Sequence, residues 1–130
     1  MNLISIVEAY LRDLENGMSG ADLKKYYAPD VQQIEYPNRL VPDGATRDLA
    51  MLQDGSIKGK RVLSKQRLEI VKSYEIGNTV IIEAIWAGTL ALPIGQIPIG
   101  GEMKAYFAQF FEFEQDKIIR QRNYDCFEPF

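Results

Sequence analysis

The sequence predicts an α+β domain in which N-terminal helices pack on the concave face of a strongly curved antiparallel sheet. Apolar residues recur at helical spacing near the start of the chain, whereas long segments of strand-type composition dominate after residue 66. Short turns join these later segments, as in an antiparallel sheet. Because long strands twist and coil, helices laid on their concave side leave a cavity.

The first predicted helix has one apolar face, made by Leu3, Val7, Tyr10 and Leu14. It ends near Asn16-Gly17, where the helical pattern stops. Residues 19–22 form a capping-box pattern that begins a second, short helix running to Tyr26 or Tyr27. Pro29 is expected to end this helix.

The middle of the chain predicts one short strand and more helix. Residues 31–36 have strand-type composition, and Pro37-Asn38 close the strand. Thr46 is a candidate cap for a helix that runs to about Gln53. We expect Asp54-Gly55 to break this helix, with one or two further turns over residues 58–64.

Four long strands are predicted over residues 66–76, 79–92, 103–113 and 118–126, which are rich in β-branched and aromatic residues. The segment 93–101 contains prolines and glycines that exclude a regular strand. Its isoleucines are unusual for a plain loop, so it is expected either to close a pocket as a lid or to contact a second subunit.

The overall composition limits the function classes. A length of 130 residues fits one domain spanning residues 1–130. The 15 basic residues are dispersed and the net charge is −3, so no nucleic-acid partner is expected. Without an apolar run of about 18 residues we expect no membrane partner, and the single Cys126 favours a cytoplasmic location. The chain has no histidine, so carboxylates, tyrosines, amides or backbone groups must perform any chemistry, and no metal or organic cofactor is expected.

Four segments, in order, resemble the nuclear transport factor 2-like superfamily and its SnoaL-like polyketide cyclase group. They are Tyr26–Val31, Glu83–Thr89, Phe111–Arg120 and Arg122–Asp125. The resemblance covers nearly the whole chain and implies a cone-shaped fold. It also implies a homodimer formed through the outer face of the sheet. SnoaL-like cyclases use an aspartate as acid and base in an intramolecular aldol closure, and the resemblance gives Asp125 this role.

The resemblance to other members of the superfamily removes three reaction routes. Tyr10 matches the oxyanion-hole tyrosine of ketosteroid isomerase, but Gln109 stands at the position of the hole's aspartate and Tyr36 at that of the base. The catalytic aspartate–arginine–aspartate group of limonene epoxide hydrolase corresponds to Trp86, Ala84 and Asn123 here. Scytalone dehydratase relies on histidines, which this chain lacks.

Strand alternation places Asp125 on one face with Gln121 and Asn123, the predicted pocket face. A slip of one residue would turn Arg120, Arg122 and Tyr124 inward instead. Asp125 either acts as a general base, or caps the strand end or pairs with an arginine. It is the only plausible carboxylate in the predicted pocket.

Two further side chains are predicted to hold a developing enolate oxygen. Gln109 lies on an otherwise apolar strand face, where an unpaired amide costs about 1–3 kcal/mol. Tyr10 either points its hydroxyl into the pocket or packs in the core. The remaining predicted wall of the pocket is aromatic and consists of Tyr36, Trp86 and Phe107.

These patterns leave three hypotheses. The first is an enzyme that cyclises or isomerises a small hydrophobic carbonyl compound by carboxylate acid–base chemistry. The second is a non-enzymatic carrier or sensor of a small hydrophobic ligand, and the third is a dimerisation domain. An open cavity with a carboxylate inside it would favour the first.

Overall fold

The computed structural model describes residues 2–130 and has the predicted α+β arrangement. The elements within this range are α1 (Leu3–Glu15), a 3₁₀ helix (Gly20–Lys25), β1 (Tyr27–Glu35), β2 (Ala45–Arg47), α2 (Leu49–Val62), β3 (Leu63–Ile76), β4 (Thr79–Leu90), β5 (Glu102–Glu114) and β6 (Lys117–Phe127). The six strands form one sheet in the order β2-β1-β6-β5-β4-β3.

The first helix has the predicted position and apolar face. Asn2 caps its N-terminus, because its side-chain oxygen accepts a hydrogen bond from the Ser5 backbone N–H at 2.8 Å. The helix ends before Gly17, whose φ of +90° suits glycine better than other residues. Its buried face contributes Ile6, Val7, Tyr10 and Leu11 to the core.

The first strand begins earlier than predicted. β1 starts at Tyr27, so the prediction that helix reaches Tyr26 or Tyr27 and that Pro29 ends it is wrong. The pairing register between β1 and β6 shifts between Tyr27 and Gln32, and Pro29 lies in this irregular stretch. The two strands run parallel, so the sheet contains one parallel pair beside its antiparallel pairs.

The second helix also differs from the prediction. Thr46 lies in β2, and Asp48 is the cap, accepting from the Met51 N–H at 2.9 Å. A single helix of 14 residues continues through Gly55 and Gly59, so the predicted break is absent. Each interior glycine costs about 1 kcal/mol relative to alanine. Packing of the helix against the sheet outweighs this local preference.

The four long strands occupy nearly the predicted ranges and form antiparallel pairs. The sheet is strongly curved, and α1 and α2 pack on its concave face. Register shifts in the β3–β4 and β5–β6 pairs fit this curvature, because a bulge bends a strand and increases its twist. The inward-facing positions of β4 and β5 alternate with exposed or half-buried ones and supply most of the sheet's share of the core.

The segment 93–101 folds back on its own chain. The backbones of Ile94 and Ile97 exchange two hydrogen bonds across a tight turn, and both side chains pack against the core. Gly95 lies in close contact with Phe130, since a Cβ at Gly95 would be 2.6 Å from the carbonyl carbon of Phe130. Ile99, in contrast, is 66% exposed.

Candidate functional site

Polar side chains gather on the concave face where β1, β6 and β5 lie side by side. The parallel register places Gln33 beside Gln121 and Glu35 beside Asn123. On the other side of β6, the antiparallel register places Gln109 opposite Asn123. All five side chains are buried. Buried polar groups must find partners or a ligand, so this patch is the candidate site.

A directed chain of hydrogen bonds crosses the patch. The Tyr27 hydroxyl donates its only proton to the Gln121 carbonyl oxygen at 2.5 Å, so it must accept from Tyr10, whose hydroxyl lies 2.7 Å away. Gln121 Nε2 then donates to Asn123 Oδ1 at 2.9 Å. All three hydrogen bonds therefore run in one direction, from Tyr10 to Asn123. The Asn123 amide group is the free donor at the end of this chain.

Burial affects the two tyrosines strongly. It raises the pKa of Tyr10 to about 12. Burial, followed by the nearby Tyr10, raises the pKa of Tyr27 well above its usual range. Both hydroxyls therefore stay protonated at neutral pH and act as hydrogen-bond groups only.

Asp125 lies next along β6 on the same face, opposite Phe107 of β5. Its Oδ1 is buried and has no hydrogen-bond partner within residues 2–130. Burial, and then the Glu35 carboxylate, raise the pKa of Asp125 to about 7, while Arg47 opposes the shift. A carboxyl group with this pKa can both accept and release a proton near neutral pH.

Glu35 and Arg47 belong to the same patch, and sequence reasoning missed both. Glu35 Oε1 accepts from Arg47 Nη1 at 2.7 Å, and its Oε2 accepts from Asn38 at 2.7 Å. Arg47 also donates to Gln33 at 3.2 Å. The prediction that Asp125 is the only inner carboxylate is therefore wrong. Alternation along β1 could have shown that Gln33 and Glu35 share a face.

Gln109 is only 8% exposed, and its Oε1 is also without a hydrogen-bond partner in the described range. The oxygen thus resembles Asp125 Oδ1 in being buried and unpaired. Leaving such a group unpaired costs about 1–3 kcal/mol. Two buried acceptors on one polar patch are thus available to accept hydrogen bonds from a bound molecule.

The aromatic side chains divide between the two faces of the sheet. Trp86 stacks on Phe107 with ring centroids 5.9 Å apart, and both lie on the concave face beside Asp125. Tyr36 instead stacks on Tyr124 at 4.6 Å on the outer face, so the prediction that it lines the pocket is wrong. The reason is alternation, because Glu35 occupies the inward position immediately before it.

The outer face also holds the side chains that a register slip would have turned inward. Arg122 pairs with Glu112, and Tyr124 is 42% exposed. Gln121, Asn123 and Asp125 therefore occupy the concave side, as the alternation of β6 predicts.

Two clefts open between α1, α2 and the sheet. One, of about 290 Å³, reaches the polar patch and is lined by Tyr10, Tyr27, Gln33, Glu35 and Arg47 together with residues of α2. The other, of about 460 Å³, lies between the C-terminal end of α1, the second half of α2 and the start of β3.

Among residues 2–130, no helix is both long and apolar enough to cross a membrane. The same range contains no group of three or more acidic or cysteine side chains arranged to hold a metal ion.

No family model matches the chain, and no curated protein matches its sequence. Solved structures do match. IdmH from Streptomyces antibioticus, a candidate polyketide cyclase, has a TM-score of 0.78 at 13% identity, over 96% of this chain and 92% of its own. A SnoaL-like polyketide cyclase from Agrobacterium tumefaciens has a TM-score of 0.69 at 20% identity, over 96% and 91%.

A third match is a protein of ketosteroid isomerase-like fold from Catenulispora acidiphila. Its TM-score is 0.72 at 19% identity, over 92% of this chain and 83% of its own. At these identities the similarity concerns the fold, and fold alone does not determine activity. The chain therefore has the fold shared by SnoaL-like polyketide cyclases and ketosteroid isomerase-like proteins, which confirms the fold that the resemblance in its sequence implied.

Proposed function

We propose that this protein is an enzyme that moves a proton on a small, largely apolar carbonyl compound, with Asp125 as acid and base. The observation that carries the proposal is the buried Asp125 Oδ1, which lacks a partner beside a second unpaired acceptor, Gln109 Oε1. The pKa of Asp125, raised to about 7, supports the same role.

In the proposed reaction, the Asp125 carboxylate removes a proton from the carbon next to the substrate carbonyl. The electron pair of that C–H bond moves onto the carbonyl oxygen and gives an enolate. Where a C=C bond is conjugated with the enolate, the proton returns to the far carbon of that bond and the double bond moves, which is isomerisation. Otherwise the enolate carbon attacks a second carbonyl of the same molecule. In the latter case Asp125 returns its proton to the new alkoxide, which completes an aldol cyclisation.

The enolate oxygen needs hydrogen-bond donors, and the Asn123 amide supports this role best. Its oxygen is occupied by Gln121, so its N–H groups are oriented away from the chain of hydrogen bonds. The amide of Gln109, on the facing strand, is the second proposed donor. Tyr10 cannot donate directly, because its proton is engaged by Tyr27. We therefore assign Tyr10 and Gln121 to positioning rather than to contact with the substrate.

The apolar part of the substrate is proposed to lie against Trp86 and Phe107. The Trp86 indole N–H is already satisfied by Gln66 at 2.9 Å, so the ring presents an apolar surface. Phe107 pairs with Asp125 across the strands, which places apolar surface directly beside the proposed base.

Proton exchange tests the proposal without knowledge of the natural substrate. The protein is incubated with 1-tetralone, an apolar ketone, in D₂O, and loss of the α-proton signal is followed by NMR. We expect the α-proton to exchange faster with the wild type present than without protein. In Asp125→Asn this acceleration should fall by about 10²- to 10⁴-fold. Asp30→Asn, a change at an exposed position of β1, is the matched control. Equal exchange by Asp125→Asn and the wild type would exclude Asp125 as the base.

A carrier or sensor of a small hydrophobic molecule is the second candidate. It is favoured by the fact that both oxygens of Glu35 and the proton of Tyr10 are engaged by neighbouring residues. Native mass spectrometry of the purified protein would test it. A co-purifying apolar compound that is released chemically unaltered would favour the carrier over the enzyme, provided that the protein also catalyses no proton exchange on ketones.

We also propose a homodimer formed through the outer face of the sheet. The outer face carries an aromatic group in which Tyr124 contacts Tyr36 and Phe110, and Tyr106 nearby on β5 is 44% exposed. Light scattering after size-exclusion chromatography measures the mass directly. Tyr124→Glu is expected to reduce it to that of one chain, and a single-chain mass for the wild type would contradict the dimer.

A further inference from the structure

The two clefts beside α2 adjoin each other. Both are lined by Leu14 of α1 and Ser56 of α2, although their other walls differ. Their volumes of about 460 and 290 Å³ compare with about 300–1,000 Å³ for small-molecule sites. Together they outline an elongated groove between the two helices. The polar patch lies at one end of the groove, and Lys60 lies at the other.

The end near Lys60 combines an apolar floor with positive charge. Its apolar lining residues are Leu14, Met18, Leu63 and Ala91. Lys60 and Lys65 line the same cleft and are exposed, and neither takes part in an ion pair within residues 2–130. Glu15 is also present, but it is engaged by Arg12 at 2.9 Å and by the Leu68 N–H at 2.6 Å. The charge left without a partner is therefore positive.

The groove comes within one residue of the aromatic wall of the concave face. Gln66 lines the larger cleft, and its side-chain oxygen accepts from the Trp86 indole N–H at 2.9 Å. One residue thus separates the cleft from Trp86. An apolar chain lying in the groove would contact Met18 and Leu63 in the larger cleft and Leu23 and Leu52 in the smaller one.

We propose that this groove binds an elongated amphiphilic carboxylate, with the anionic end at Lys60 and Lys65 and the apolar body directed toward Tyr10. The proposal names the class of substrate for the function above, and it rests on that function for the direction of the ligand body. Binding of the anionic end depends on the two lysines, whereas catalysis depends on Asp125, so the two can be measured separately.

The test compares decanoate with 1-decanol, which has the same chain without the charge, by isothermal titration calorimetry. Decanoate should bind more tightly to the wild type. The double variant Lys60→Gln/Lys65→Gln should weaken decanoate about tenfold and leave decanol unchanged, as expected for two exposed charge contacts. Lys58→Gln is the matched control, because Lys58 lies on the same helix but pairs with Asp54. Equal affinity for both probes, or no effect of the double variant, would overturn the proposal.

A second variant tests the groove itself. Gly59 lines the larger cleft, and no atom lies within 4 Å of a Cβ built there, so Gly59→Leu adds bulk at the wall of the cleft. Leucine favours helix more than glycine does, so the variant should fold, and thermal unfolding verifies this. Weaker binding of decanoate supports the groove, and unchanged binding contradicts it. Asp125→Asn should bind decanoate like the wild type. A negative result in the proton-exchange experiment would therefore not affect the measurement of decanoate binding.

Discussion

The Tyr27 hydroxyl donates to the Gln121 side-chain oxygen at 2.5 Å, and this bond determines the direction of every hydrogen bond in the chain that ends at Asn123. Gln121 is 1% exposed and uses both ends of its amide, one toward Tyr27 and one toward Asn123. A buried amide with both ends satisfied has one orientation. The proposed donor at Asn123 is therefore oriented before any substrate arrives.

Tyr27→Phe is expected to destabilise the protein more than Tyr10→Phe. The first change leaves two buried groups without a partner, the Gln121 oxygen and the Tyr10 hydroxyl, at about 1–3 kcal/mol each. The second removes one donor but preserves the bond from Tyr27 to Gln121, at about 1 kcal/mol. Urea unfolding of both variants at pH 7 measures the difference. Equal losses would show that the hydrogen bonds do not have the order described.

The stability of the folded protein should fall as the pH rises from about 4 to about 7. Asp125 keeps its proton up to about pH 7 when folded, whereas the ordinary pKa of 3.8 applies when unfolded. The folded state binds more protons between these values, so raising the pH favours unfolding by as much as about 4 kcal/mol. Unfolding in urea across this range should lose that slope in Asp125→Asn. Asp30→Asn should retain it, and a wild type with the same slope as Asp125→Asn would contradict the raised pKa.

The two neighbours of Asp125 should move its pKa in opposite directions. Glu35→Gln removes a negative charge and is expected to lower the pKa, whereas Arg47→Gln removes a positive charge and is expected to raise it. NMR titration of the Asp125 carboxyl carbon measures both. Glu69→Gln, at an exposed position of β3, serves as the control. Shifts in the same direction for both variants would contradict the arrangement of charges.

Replacing the interior glycines of α2 by alanine should stabilise the protein. No atom lies within 4 Å of a Cβ built at Gly55 or Gly59, so each change gains about 0.5–1 kcal/mol of helix propensity. Gly44→Ala should do the reverse, because its φ is +66° and its Cβ would lie 2.6 Å from the Glu35 carbonyl oxygen. Thermal unfolding of the three variants tests these signs, and a loss of stability at Gly59 would show that its surroundings are not open.

Strand periodicity allowed the fold and part of the candidate site to be predicted. Along β6 the period of two placed Gln121, Asn123 and Asp125 together, and the structure has this arrangement. The same period of two runs along β1, where Glu35 and not Tyr36 faces inward. An error of one position in a strand exchanges the two faces, so it affects the chemistry while leaving the fold intact.

Other features depend on contacts that local sequence does not encode. Gly55 was expected to break a helix, but packing of Leu52 and its neighbours against the concave face holds α2 together. Arg47 joins the site only because β2 pairs with β1 and brings it to Glu35. Tertiary pairing, which single-sequence patterns do not report, therefore brought in one of the three charged groups of the patch, Arg47 beside Glu35 and Asp125.

The parallel pairing of β1 with β6 has a consequence for how the protein is made. It joins Glu35 to Asn123 across most of the chain's length, so closing this contact carries a large loop entropy and makes the pairing slow to form. Because β6 follows the other strands of the sheet along the chain, a ribosome releases it after them. The polar patch cannot exist on a nascent chain until β6 has been released, and until then Gln33 and Glu35 of β1 have no neighbour on that side.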